Sequence, residues 1–274
     1  MKTHPRFYSL LLAALICFAL AARTVPAVPA LAQEGPLPGE QLGLTGVSDF
    51  SAEWYRLYAL YRDAIDACND ADPDMALTPL NNAEIPFILG SGYDLMNGQG
   101  IDGRFEGMLG FTNRQAFLEK NGALLSFGNE FVRDYDGFSI AERKGDLERE
   151  EGSLDLHAGH MVYRRAVTRG ETEIERDYYE YRLLKEGGMI LTAIWGDLYN
   201  FQGDEANRTE AVYMRMTEAG LDFFTARANA GAAFTTVALG EGESNPEEAA
   251  KAFEDAGFTI QLSGGAKDGA VNIR

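Results

Sequence analysis

Cysteine is nearly absent from this chain of 274 residues, with two in all, Cys17 and Cys68. Cys17 lies in a stretch expected to be removed on export. Cys68 is then left without a partner, and no intramolecular disulfide forms in the mature chain. Histidine is almost as scarce: the three are His4, His157 and His160. Basic residues are in deficit, 24 Lys and Arg against 42 Asp and Glu, a formal charge of −18. Such a balance repels phosphate backbones and anionic membrane surfaces, so no nucleic-acid partner is expected. There is no internal repeat and no G-x-S-x-G elbow to place a serine nucleophile. Long apolar runs are missing too. The longest, Phe7 to Ala22 with one interruption at Ser9, spans 16 residues, short of the ~20 that a membrane-spanning helix needs.

That run has the form of a secretory signal peptide. Lys2, His4 and Arg6 precede it and Arg23 ends it. Ala30-Leu31-Ala32 then offers small residues at the positions a signal peptidase accepts. Residues 1–32 are read as the signal peptide, cut after Ala32 or nearer Ala21 or Ala22. The mature protein is expected to be secreted or periplasmic, with no stable membrane insertion after cleavage. Lipidation of Cys17 is disfavoured because the bulky Ile16 precedes it. Loss of Lys2, Arg6 and Arg23 leaves 21 basic residues against 42 acids, and the charge moves to −21.

Residues 33–46, rich in Gly, Pro and Gln, read as a flexible leader. Residues 47–274 are expected to form one domain, with 231–274 a candidate appended strand–helix–strand unit. The clearest helix covers residues 50–68. Phe50, Trp54, Leu57, Tyr58, Tyr61, Ile65 and Cys68 recur at spacings of three and four and form one apolar stripe. Ser48 or Asp49 is the expected cap. Asn113–Asn121 also reads as a helix, stopped by Gly122. Strands are expected at Ile85–Leu89, Arg104–Phe111, Ala123–Phe127, Glu130–Tyr135 and Phe138–Glu142. The charge-dense residues 142–152 read as an exposed turn.

The strongest β signal runs from His160 to Trp195. Turns at Arg169-Gly170 and Gly187-Gly188 join Tyr-, Ile- and Val-rich segments into an antiparallel meander. Both faces of the segment from Ile174 to Leu183 are chemically mixed. A helix is expected from Asp204 to Ala219, then a strand or continuation over 221–228 and a strand at Phe234–Leu239. Asn245-Pro246-Glu247-Glu248 is a helix start, with a capping side chain, proline at the first position and acid behind it. Strands Phe258–Leu262 and Ala270–Ile273 close the chain. The fold class expected is α+β: an antiparallel β-meander packed with an N-terminal amphipathic helix and later helices.

Several patterns touch on chemistry. Gly98-Gln99-Gly100-Ile101-Asp102-Gly103 matches G-x-G-x-x-G, but the segment after it alternates like a strand, where a dinucleotide site needs a helix. Asp70, Asp72 and Asp74 alternate as Ca²⁺ ligands do. Met75 and Asn81 stand where an EF-hand needs glycine and glutamate, so only a loose Ca²⁺ loop is an alternative to a solvated turn. His157 and His160 are the one pair able to chelate Zn²⁺, with Glu150, Glu151 or Asp155 as third ligand. Cys68 lies on the apolar stripe and reads as a core residue.

No cofactor is expected. The favoured function is a non-catalytic binding or accessory module of the cell envelope or extracellular space. Its partner is a protein or a small ligand, met through Trp54, Tyr58 and Tyr61 of the aromatic helix. The alternative is a metal-assisted hydrolase built on His157 and His160. N-terminal sequencing of the secreted form is expected to begin at Gln33, or at Ala22 or Arg23 where the nearer cut is used. A chain retaining Met1 overturns the export reading.

Overall fold

The structure, a computed structural model, describes residues 47–71, 79–81, 112–132, 145–197, 208–230, 234–238 and 245–273. All belong to the compact unit Leu37–Arg274. The expected signal peptide and leader, the expected strands Ile85–Leu89, Arg104–Phe111 and Phe138–Glu142, the glycine motif Gly98–Gly103, Asp72 and Asp74 lie outside the described residues.

Among the described residues ten strands form one antiparallel sheet in strict chain order. They are β1 (Thr112–Asn121), β2 (Leu124–Val132), β3 (Leu147–Asp155), β4 (His160–Arg169), β5 (Thr172–Leu183), β6 (Met189–Asp197), β7 (Arg208–Thr217), β8 (Gly220–Ala228), β9 (Phe258–Lys267) and β10 (Ala270–Ile273). Two helices accompany them among the described residues, α1 (Val47–Ala71) and α2 (Pro246–Asp255). Neither is long and apolar enough to cross a membrane. The α+β expectation is therefore corrected: the fold is sheet-dominated, and most of the expected later helices are strands.

Each reversal has a physical cause. Asn113–Asn121 was expected to be a helix that Gly122 stops. In the structure Gly122, at φ +63°, turns a hairpin instead, and Asn121 pairs with Leu124. A glycine in the left-handed region ends a helix or turns a hairpin equally well, so the signal is ambiguous. Residues expected as a helix up to Ala219 contain β7. Ala211, Val212, Tyr213 and Met214 are all buried, because β7 is covered on both faces. A strand buried on both sides loses its alternation and cannot be told from a buried helix by period. Residues 234–238 carry no regular structure, where a strand was expected.

Alternation divides the sheet into two faces. On one, Tyr163, Tyr179, Leu191, Val212, Met214 and Phe223 pack beneath α1. The helix contributes Trp54, Leu57, Tyr61, Ile65 and Cys68, the stripe expected from its spacing. It begins at Val47, so Ser48 and Asp49 lie inside it rather than at its cap. On the other face, Tyr178, Ile194, Ala211, Tyr213 and Phe224 pack beneath α2 and Val237. Asn245 caps α2, its Oδ1 accepting the Glu247 amide at 2.7 Å, with Pro246 at the first position. Phe253 is fully buried, edge-on to Phe224 and Phe258 with ring centres 5.2 and 5.4 Å away. Gly188, at φ +107°, opens β6 where any side chain would overlap the Met216 carbonyl oxygen.

The β3–β5 end is held differently. Residues 147–152, expected in an exposed turn, form most of β3, and Glu148 and Glu150 are buried at 6% and 5% exposure. Arg165 of β4 explains this. Its Nε donates to Glu148 Oε1 at 2.6 Å and its Nη2 to Glu175 Oε2 at 2.6 Å, while Nη1 donates to Asp177. Beside it the Tyr163 hydroxyl donates to Glu150 at 2.8 Å. At the strand ends Arg169 grips the buried Asp146 with two bonds of 2.8 and 2.9 Å. Burial by itself would lower the pKa of Arg165, but the surrounding carboxylates raise it well above its ordinary value.

Three carboxylates share one guanidinium, so the cluster has an excess of negative charge. Burial raises the Asp177 pKa, Arg165 opposes this, and Glu175 and Glu148 add to the rise, leaving it above its ordinary value. A carboxyl whose pKa is higher folded than unfolded contributes most at low pH, and that contribution is lost as pH rises.

Two outcomes follow. Phe253→Ala should destabilise the chain by about 3–5 kcal/mol in urea unfolding, as an aromatic-to-alanine cavity does. An unchanged midpoint would show that α2 does not anchor the sheet. Asp177→Asn should gain stability relative to the parent chain as pH is raised from about 3 to 7, since asparagine carries no charge to hold. A relative loss over that range would overturn the reading of the cluster.

Candidate functional site

The expected zinc pair sits at the β3–β4 turn. Asp155 Oδ1 accepts the amides of His157, at 3.0 Å, and Ala158, at 2.9 Å, and this folds the turn. His157 is exposed there. His160 opens β4 with its Nε2 2.7 Å from Glu180 Oε1. Glu180 also accepts from the Tyr178 hydroxyl at 2.6 Å and from Arg182 at 3.2 Å. Burial alone would raise the Glu180 pKa. The bonds from His160 and Tyr178, with the charges of His160 and Arg182, bring it below its ordinary value. Burial and the adjacent carboxylate raise the Tyr178 phenol, which therefore stays protonated and donates.

The three expected third ligands have work elsewhere. Glu150 accepts from Tyr163, Asp155 folds the turn, and Glu151 lies 3.7 Å from Arg164. Among the described residues no group of three or more His, Cys, Asp or Glu side chains is placed to hold a metal ion. Asp70 of the expected Ca²⁺ loop lies in the last turn of α1.

The aromatic stripe faces inward. Trp54 and Tyr61 are 3% and 1% exposed, inside the core of their own chain. Tyr58 is half-buried, with its ring stacked between theirs at centre distances of 5.2 and 6.3 Å. The Tyr61 hydroxyl donates to the Leu80 carbonyl at 3.3 Å. Of the three rings expected to meet a partner, Trp54 and Tyr61 are buried against the sheet of the same chain and Tyr58 is half-buried. The spacing of a core stripe and that of a groove-docking helix are the same, so the pattern alone could not separate them.

A different place has the shape of a site. On the α2 face, beside the part that α2 covers, lies a cavity of about 660 Å³. Strand register builds its floor. Glu130, Arg149, Ala166 and Arg176 stand opposite one another across β2 to β5. The next row is Glu151, Arg164 and Tyr178. Phe234 and Thr236, just before α2, form a wall. The position directly behind this floor is the Arg165 cluster, since neighbouring residues in a strand point to opposite faces.

The lining combines cations, acids and rings. Arg149 Nε donates to Glu130 at 2.5 Å, and Arg176 Nε lies 2.5 Å from Glu173. The Arg176 guanidinium also lies over Phe234, 5.5 Å from the ring centre. That of Arg164 lies over Tyr178 at 5.7 Å, within the range where a cation and a ring face attract. Tyr178 belongs at once to the α2 core and to the cavity wall. The arrangement can sort a ligand by shape and charge, with guanidinium donors set beside aromatic rings.

Sequence reasoning missed this cavity. The available signal was the mixed chemistry of β5, where Arg176, Tyr178 and Glu180 alternate with Asp177, Tyr179 and Tyr181 on opposite faces. Both sets are used, one for the cavity and the Glu180 network, the other for the core and the ion cluster. No protein-family model, curated protein or solved structure matches this chain.

Proposed function

We propose that the chain is an exported, non-catalytic binding module that takes a small ligand in the cavity on the α2 face. The single observation that carries this reading is the cavity itself. Its volume, about 660 Å³, lies in the ~300–1,000 Å³ range of small-molecule sites. Its floor is four paired strands, and rigid elements hold side chains in place better than loops do. Export rests on the first 32 residues, and the acidic surface of the mature chain disfavours nucleic acid and anionic membranes as partners.

The test uses the chain without residues 1–32 and 2-naphthol, a neutral fluorescent ring compound, as probe. Saturable binding at one site is expected. Phe234→Ala, which removes a wall of the cavity, should weaken it at least about fivefold while circular dichroism stays unchanged, in keeping with the loss of a ring contact worth about 1 kcal/mol. Failure of the probe to bind, or equal binding by the variant, overturns the reading.

A further inference from the structure

Four arginines line the α2-face cavity; Arg165 is spent on the buried cluster behind the floor, and the other three are not equivalent. Arg149 and Arg176 each make a close charged contact, at 2.5 Å, with Glu130 and Glu173. Among the described residues the one acid within ion-pair distance of Arg164 is Glu151, at 3.7 Å, too long for a hydrogen bond. Its side chain and that of Glu151 are 58% and 67% exposed. A pair so exposed and so distant is held weakly, and Glu151 can swing aside at little cost. The Arg164 guanidinium is meanwhile steered over the Tyr178 ring rather than toward an acid. It thus presents a fork of donors, suited to a carboxylate or sulfonate, at the edge of a wall made by Tyr178 and Phe234.

The same lining limits the charge of the occupant. Glu130, Glu151 and Glu173 all line the cavity. With Arg149 and Arg176 occupied, one guanidinium is open to an incoming anion, and a second negative charge would meet these acids. We infer that the cavity selects a small ring-bearing monoanion, an arenecarboxylate or arenesulfonate, with its anionic group on Arg164 and its ring against Tyr178 and Phe234. This assignment rests on the reading of the cavity as a binding site.

The experiment compares 2-naphthoate with 2-naphthamide, which share shape and differ in charge, by calorimetry on the chain lacking residues 1–32. Naphthoate should bind at least tenfold more tightly. Arg164→Gln should abolish that preference, bringing naphthoate affinity down to that of naphthamide, and Glu151→Gln should strengthen naphthoate binding. Raising the salt concentration should weaken naphthoate and leave naphthamide unaffected. Equal affinities, or a preference that survives Arg164→Gln, overturn the anion assignment alone. If neither compound binds, the cavity is not a ligand site and both readings fall.

Discussion

One guanidinium organises the β3–β5 end of this sheet. Arg165 offers its donors to carboxylates on the strand before it and the strand after it. A buried ion cluster is not by that fact stabilising, because desolvating four charged groups costs several kcal/mol for each. What it does impose is register. A slip of β3 or β5 by one residue against β4 would carry Glu148, Glu175 and Asp177 to the opposite face and leave Arg165 buried without them. Everything on the reverse of these strands inherits that alignment. The rows Glu130–Arg149–Ala166–Arg176 and Glu151–Arg164–Tyr178 are level with each other because the row behind them is locked.

This explains why the cavity was hard to read from the chain. Sequence patterns reveal strands through apolar alternation, and β3 has almost none: its inward positions 148 and 150 are glutamates. Charge there looked like solvent exposure because the partner, Arg165, is far along the chain and is recognisable only once β3 and β4 are paired. By contrast, the buried stripe of α1 was legible, though its start was not. Its stripe of Trp54, Leu57, Tyr61, Ile65 and Cys68 needs no distant partner to declare its period. So was the start of α2, where a cap, a proline and two acids act within four residues. The glycine turns between β4, β5 and β6 were equally local. Misread elements were those whose state is decided by tertiary cover, β7 above all.

The two faces of the sheet divide their tasks by chemistry. The α1 face is apolar over most of its breadth, with the ion cluster toward β3. The α2 face is apolar only beneath α2 and Val237, and becomes charged over β2 to β5. Tyr178 stands at that border, with its hydroxyl on Glu180 and its ring beneath Arg164. Its ring thus belongs both to the core beneath α2 and to the cavity wall.

The strand order has a consequence for how the chain is made. Each strand after the first pairs with the one just before it, and tight turns join β1–β2, β3–β4, β4–β5, β5–β6, β7–β8 and β9–β10 at little entropic cost. Helix α1 is the exception. It packs against β7 to β10, all of them synthesised long after it. During synthesis its aromatic stripe has no cover from these strands. Helix α1 can complete its packing only once β7 to β10 have been made.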